Sequence, residues 1–358
     1  MAKFKIPWLR FALILIPVIA LNVFLVRKII PKKEPEKIEL KVLPDKDPLP
    51  PAPPMQPTPD AAPTPVVAVR PVKAVPWDYR RPLALPPKLA ARFAGNGKNK
   101  RVMSGIVVDL NSRRVLWARN SRTPVAVASL TKLMTAFLAA ERMESDPGFQ
   151  WTTILRASPN VPKVERSSVL GIKAGEAYAV GELMQSMMIN SHNDSAYMLA
   201  ESIGGTTENF VAMMNSRGRE LGLNSVNFNS PNGYPQGKKR VNSFASTEDI
   251  VHICEWILRY PKVLGLCTMT SARMHNGLMA RSHNNLLLPR DKAHPWRKKV
   301  PGMIGFKTGY TATAGFCLAF GVSREGRTIL GCVAGFGSAR ERDEFCMEVI
   351  EWAFQQRP

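Results

Sequence analysis

Acidic residues are scarce in this 358-residue chain. Only 28 Asp and Glu stand against 49 Lys and Arg, a formal charge of +21. Histidine and cysteine are scarcer still, at five each. His275, His283 and His294 share a stretch with Arg273, Arg281, Arg290 and Arg297 but with no acidic ligand set, and Cys254, Cys267, Cys317, Cys332 and Cys346 follow no metal spacing. Neither a metal nor a cofactor is therefore expected. The odd cysteine count and its apolar surroundings point to buried thiols, with Cys317–Cys332 the one conceivable bridge. No zinc-finger spacing, RNP-like aromatic run or dense basic helix accompanies the charge, which argues against nucleic acid. No internal repeat is present. Residues 1–87 carry +7 (14 against 7) and residues 88–358 carry +14 (35 against 21), so the charge is no mere tail. The basic stretch around residues 273–297 instead suits an anionic polymer.

Apolar residues at 45% and charged ones at 22% exclude a wholly disordered chain. Of 30 prolines, 17 fall within residues 31–87. Residues 31–87 therefore read as a proline-rich linker, extended by about 3.1 Å per residue where it adopts polyproline II. Before it, Ile6–Val26 is an almost uninterrupted apolar run flanked by Lys3, Lys5, Arg27 and Lys28. About 20 such residues span a bilayer if Arg10 snorkels to the interface, so residues 1–30 read as a transmembrane anchor. A cleaved signal peptide is the competing reading, but the loose cleavage site Val18-Ile19-Ala20 lies inside the apolar run. Positive charge on both flanks leaves the orientation open.

Residues 88–358 carry globular patterning. Gly105–Asn120 reads as two strands about an Asn-Ser turn, and Gly315–Val322 and Thr328–Phe336 as two more joined by Ser323–Arg327. Helices are expected at Leu130–Met143, Val180–Ile189, Ser195–Ile203, Phe210–Leu221, Thr247–Leu258 and Arg342–Phe354. That order lets the first hairpin join the late strands in one antiparallel sheet backed by helices, an α/β (α+β) fold with a helical subdomain.

Three short motifs carry chemistry. Ser129 and Lys132 lie three apart at a helix start, sharing a face, so an amine can take a serine proton near a helix N-terminus. Ser191-His192-Asn193 falls in the short turn Asn190–Asp194 between two helices, where side chains can enter a cleft. Lys307-Thr308-Gly309 opens strand-forming sequence, where a sheet edge could pair with an extended peptide and Gly309 would allow close approach. Each alone is weak, and Ser-x-Asn recurs at Ser158, Ser225, Ser230 and Ser282. Their order and separations, 62 residues (129 to 191) and 116 (191 to 307), are specific.

With ASLTKLMTA, LGIKAGEAYAVGELMQSMMINSHNDSAYMLAE and GFKTGYTATAGFCLAFGV around them, these motifs resemble the serine D-alanyl-D-alanine carboxypeptidases, the low-molecular-mass penicillin-binding proteins, over about Gly105–Phe354. The resemblance implies a β-lactamase/transpeptidase-like fold and an acyl-enzyme mechanism on peptidoglycan stem peptides, with β-lactams as inhibitors. It makes Ser129 the nucleophile, Lys132 its base and Ser191 the proton relay to the leaving amine. Asn193 would orient Lys132 and the substrate amide. Lys307, Thr308 and Arg342 would contact the terminal carboxylate, with Arg340 a close competitor. The backbone N–H groups of Ser129 and Tyr310 would form the oxyanion hole, beside Gly309. An endopeptidase cutting cross-links, a β-lactamase and a non-catalytic wall-binding protein are the alternatives. Glu165, Glu201 and Glu208 all lack the deacylating setting of class A β-lactamases. His192 reads as a turn histidine partly in solvent. Many relatives continue into a β-rich domain and a C-terminal anchor. Here the N-terminal segment is expected to do the anchoring, placing a single-pass protein in the cytoplasmic membrane with its catalytic domain outside.

Overall fold

The computed structural model describes residues 73–94, 101–164 and 167–357. The expected anchor, the linker as far as residue 72, and Glu165 lie outside the described residues. The first part comprises helix α1 (Pro87–Ala94), strands β1 (Ser104–Asp109), β2 (Arg114–Arg119) and β3 (Val125–Ala126), and helix α2 (Thr131–Ser145). The middle holds β4 (Ile154–Arg156), β5 (Ala177–Ala179), α3 (Val180–Ile189), α4 (Asn193–Gly204) and α5 (Thr207–Glu220). It continues with β6 (Phe244–Ala245), α6 (Thr247–Ile257), α7 (Pro261–Thr268), β7 (Ser271–Arg273) and β8 (Met279–Arg281). The last part is β9 (Met303–Thr311), β10 (Gly315–Arg324), β11 (Arg327–Phe336) and α8 (Ala339–Gln355).

Five strands form one antiparallel sheet in the order β2-β1-β11-β10-β9, so the early hairpin does join the late strands. Side chains alternate along a strand. Ile106, Val108, Ala319 and Leu330 thus enter one core with α2 and α6, while Val107, Leu318, Phe320 and Val333 enter another with α1 and α8. This two-sided burial explains why β1 is apolar without a polar face. On the second face Phe345 is fully buried against Phe93, Trp117 and Phe336, with ring centroids 5.1, 5.7 and 5.5 Å away. Burying such a side chain is worth about 1.5–3 kcal/mol. Between β10 and β11, Glu325 (φ 50°) and Gly326 (φ 77°) make the tight turn that matches strand twist.

Two boundaries differ from the sequence reading. Helices start earlier than apolar periodicity indicates, because polar caps open them. Thr206 accepts from Asn209 N and Ser338 from Glu341 N, both at 3.1 Å, so α5 and α8 each begin three residues upstream of expectation. The stretch assigned to the linker is also packed from residue 73 onward. Trp77 is 3% exposed, stacks on His252 and lies under the Arg113 guanidinium, while Leu83 N donates to Leu116 O. Its prolines hold it extended, and two apolar side chains, Trp77 and Leu85, dock it. All five cysteines are free and buried, and Cys332 sits opposite Ala319 across the ladder rather than opposite Cys317. Among the described residues no helix is long and apolar enough to cross a membrane.

Candidate active site

Ser129 sits in a turn of 3-10 helix, Ala128–Leu130, that feeds directly into α2. Ala128 holds a left-handed φ of 48°, a conformation costing roughly 1–3 kcal/mol for a residue with a side chain. Ser129 is half-buried, whereas Lys132 beneath it is fully buried. Lys132 Nζ lies 3.1 Å from Ser129 Oγ, 2.9 Å from Asn193 Oδ1 and 2.8 Å from the Asn232 carbonyl oxygen. All three neighbours are uncharged. A neutral amine donates its two N–H groups to the two carbonyl oxygens and turns its lone pair on the serine hydroxyl. Burial pushes the Lys132 pKa well below 10.5 and the Lys307 charge pushes the same way, against a weaker pull from Asp194.

The second motif occupies the turn between α3 and α4, as its sequence context indicates. Ser191 has φ 66°, and its hydroxyl makes no hydrogen bond to the described residues. Asn193 opens α4, its N–H donating to Ser168 O at 2.7 Å. Asp194, which the sequence reading names only as the end of this turn, accepts the backbone N–H groups of Leu170, Gly171 and Ile172 at 2.8–3.1 Å and so ties the 170–172 loop to it. His192 corrects an expectation. It is only 7% exposed, its Nδ1 lies 2.7 Å from Ser186 Oγ, and burial lowers its pKa to about 4.

The third motif lies in the middle of β9, on the sheet edge, rather than at the strand's start. A Cβ on Gly309 would sit 3.2 Å from Ser129 N and 3.1 Å from Val127 O, so any side chain here would press on the serine turn, which glycine leaves free. Thr308 is buried and Tyr310, at 55%, is exposed. Lys307 is 3% exposed and donates to Thr308 O at 3.2 Å. Burial lowers its pKa to about 7, with the Arg342 charge acting the same way and Cys267 opposing. Arg342 is buried at the start of α8, paired with Asp343 at 2.6 Å and donating to Cys317 O at 3.2 Å. Its competitor Arg340 is exposed and paired with Glu344 at 2.7 Å. The folded chain therefore brings Ser129, Lys132 and Asn193 into direct contact, and sets Gly309 against the serine turn.

Asn232 was missed because it acts through its backbone. Its signals were the Asn232-Gly233 turn pair and its place as the third residue of the Ser-x-Asn copy at Ser230, which reads as ordinary turn chemistry. Asn232 also borders a polar cavity of about 890 Å³ lined by Ser158, Tyr197, Glu201, Tyr234 and Gln236. The histidines of the basic stretch do not converge, since His275 pairs with Glu182 at 2.8 Å and His294 with Asp291 at 3.0 Å.

Residues 94–335 match the family model for D-alanyl-D-alanine carboxypeptidase, and the chain belongs to that family. It is similar to the D-alanyl-D-alanine carboxypeptidase DacF of Bacillus subtilis, 26% identical over 253 residues that cover 71% of this chain and 62% of that protein. The corresponding DacC of Escherichia coli is 23% identical over 278 residues, covering 76% and 66%. The chain thus spans less than two thirds of these relatives' lengths. Among solved structures, penicillin-binding protein 6B of Escherichia coli superposes with a TM-score of 0.63 at 26% identity, over 70% of this chain and 76% of that one. Penicillin-binding protein D2 of Listeria monocytogenes, in its cefotaxime-bound form, gives 0.61 at 25%, over 70% and 96%.

Proposed function

We propose that the chain removes the terminal D-alanine from peptidoglycan stem peptides by an acyl-enzyme route, as a D-alanyl-D-alanine carboxypeptidase. One observation carries this reading: a fully buried amine with only uncharged partners, 3.1 Å from a half-buried serine hydroxyl. Ser129 Oγ attacks the carbonyl carbon between the two D-alanines while its proton passes to neutral Lys132. The backbone N–H groups of Ser129 and Tyr310 receive the developing oxyanion. The C–N bond then breaks, the leaving amine takes a proton from Lys132 through Ser191, and water later hydrolyses the ester.

Asn193 holds both Lys132 and the substrate amide. Lys307, Thr308 and Arg342 receive the terminal carboxylate at the strand edge, and the cavity beside Asn232 leaves room upstream. β-Lactams, which present a carbonyl to the same serine, are the inhibitors this reading expects. Residues 1–30 serve as a membrane anchor and the proline-rich stretch as a tether, putting the domain outside the cytoplasmic membrane, where its substrate is.

The test incubates the protein with a pentapeptide stem and with cross-linked muropeptide dimers, beside a Ser129→Ala control. Loss of one D-alanine from the pentapeptide, absent in the control, supports a carboxypeptidase. Conversion of dimer to monomer alone makes it an endopeptidase. No product, with penicillin failing to label Ser129, leaves a wall-binding protein.

A further inference from the structure

Beneath the turn that presents Ser191 lies a buried polar chain that the proposed reaction does not use. His192 Nδ1 is 2.7 Å from Ser186 Oγ, which is in turn 2.8 Å from Ser195 Oγ. Ser186 lies in the last turn of α3 and Ser195 in the first turn of α4, and both are fully buried. Ser186 also anchors the turn through its backbone, its carbonyl accepting Asn190 N at 3.2 Å and His192 N at a stretched 3.5 Å. The shorter link across the turn is therefore made by the imidazole. Ser191 needs such a link. Its left-handed φ of 66° is unfavourable for a residue with a Cβ, and persists only where its surroundings over-determine it. On the far side the turn is fixed by Asn193 N donating to Ser168 O at 2.7 Å.

We propose that His192 is a positioning residue, clamping the turn to Ser186 so that Ser191 keeps its left-handed conformation beside Asn193, whose amide oxygen meets Lys132. This rests on the reading of Ser191 as the proton carrier. The ring acts through Nδ1, and the hydroxyl chain accepts either direction of donation: Ser195 to Ser186 to Nδ1, or the reverse. Both leave the ring neutral, as its surroundings require. Asp194 of α4, Lys132 of α2, Lys307 of β9 and His283 after β8 are the titratable groups that face it. Burial first of all, and the charge of Lys307 beside it, disfavour an imidazolium here against the pull of Asp194.

The test uses the full chain carrying His192→Asn, His192→Gln, His192→Ala or Ser186→Ala. It reads kcat and KM for D-alanine release and the rate at which a fluorescent penicillin acylates Ser129. An Asn amide reaches the place of ring Nδ1, whereas a Gln amide reaches that of Nε2. His192→Ala and Ser186→Ala should each lower kcat about tenfold with KM within about twofold, and their combination should be no worse than either. His192→Asn should recover activity to within about threefold of the parent, and His192→Gln should not. A wild-type kcat in His192→Ala, or rescue by Gln equal to that by Asn, overturns the proposal. If His192→Ala does not fold, Ser186→Ala carries the test from the other partner. If the parent releases no D-alanine, the proposed function fails while the order of acylation rates still decides the role of His192.

Discussion

Helix α2 and strand β9 each bury a lysine, and the two are held in different company. On the helix Lys132 meets three uncharged oxygens, one from each of the Ser129 turn, α4 and the Asn232 loop. On the strand Lys307 has a single backbone carbonyl at 3.2 Å and the Arg342 guanidinium for a charged neighbour. Neither has a carboxylate paired with it among the described residues. Burial lowers both, Lys132 well below its ordinary value and Lys307 to about 7. A buried lysine is thus not one kind of group. Burial and a nearby cation suit Lys132 to the role of base proposed above, while its two carbonyl acceptors hold it in place, whereas Lys307 keeps a charge to offer an anion at and below neutrality.

The largest effect expected separates those two roles. Lys132→Ala should lower kcat/KM for D-alanine release by about 10³–10⁴-fold, the range in which positioned proton transfer and nucleophile activation operate. Steady-state kinetics on a stem pentapeptide checks this, and a variant within tenfold of the parent breaks the assignment of Lys132 as base. Next comes Arg342→Ala. It strips the partner from Asp343, a fully buried carboxylate already raised by burial and otherwise held by Asn285 at 2.8 Å. Removing one member of a buried pair costs about 3–5 kcal/mol, so thermal unfolding should show a clear loss of stability along with a raised KM.

A pH profile sharpens the contrast further. With Lys132 as base, kcat/KM falls on the acid side as Lys132 becomes protonated. The Lys307 charge disfavours that protonation. Removing it by Lys307→Ala therefore raises the Lys132 pKa and moves the acid limb to higher pH. On the alkaline side the parent loses the Lys307 charge above about 7, so KM for a carboxylate-ended peptide should climb there. Lys307→Ala, already without the charge, should show a high KM that no longer depends on pH in that range. An acid limb unmoved by the substitution would mean the two lysines do not communicate.

Much of this architecture can be read before any coordinates. Strands β1 and β11 are apolar through their middles, because helices cover both faces of the sheet, and the Glu325-Gly326 pair marks its own turn. The spacing of Ser129 and Lys132 sets them on one helical face, and Asn193 reaches Lys132 as its motif implies. What stayed hidden depends on tertiary neighbours. Asn232 contributes a carbonyl that every residue possesses. His192 looks like any turn histidine until Ser186 and Ser195 close beneath it. Trp77 is masked by the prolines around it, and Asp194 finds its partners more than 20 residues upstream.

The smallest effect is expected two residues from one of the largest. Arg340 and Arg342 lie in the same first turn of α8, and the sequence alone leaves them in competition. Their surroundings differ in kind. The Arg340 side chain is 63% exposed and its pair with Glu344 spans one helical turn at the surface. Pairs of this i,i+4 type contribute about 0.3–0.5 kcal/mol, and salt screens them. Glu344 also keeps Arg92 at 2.9 Å, so losing Arg340 leaves no carboxylate stranded. Arg340→Ala should therefore shift chemical denaturation by less than about 0.5 kcal/mol and leave KM unchanged, while Arg342→Ala alters both. If Arg340→Ala instead raised KM severalfold, the carboxylate would be received at the exposed arginine, and the buried Arg342–Asp343 pair would be a fixture of the fold alone.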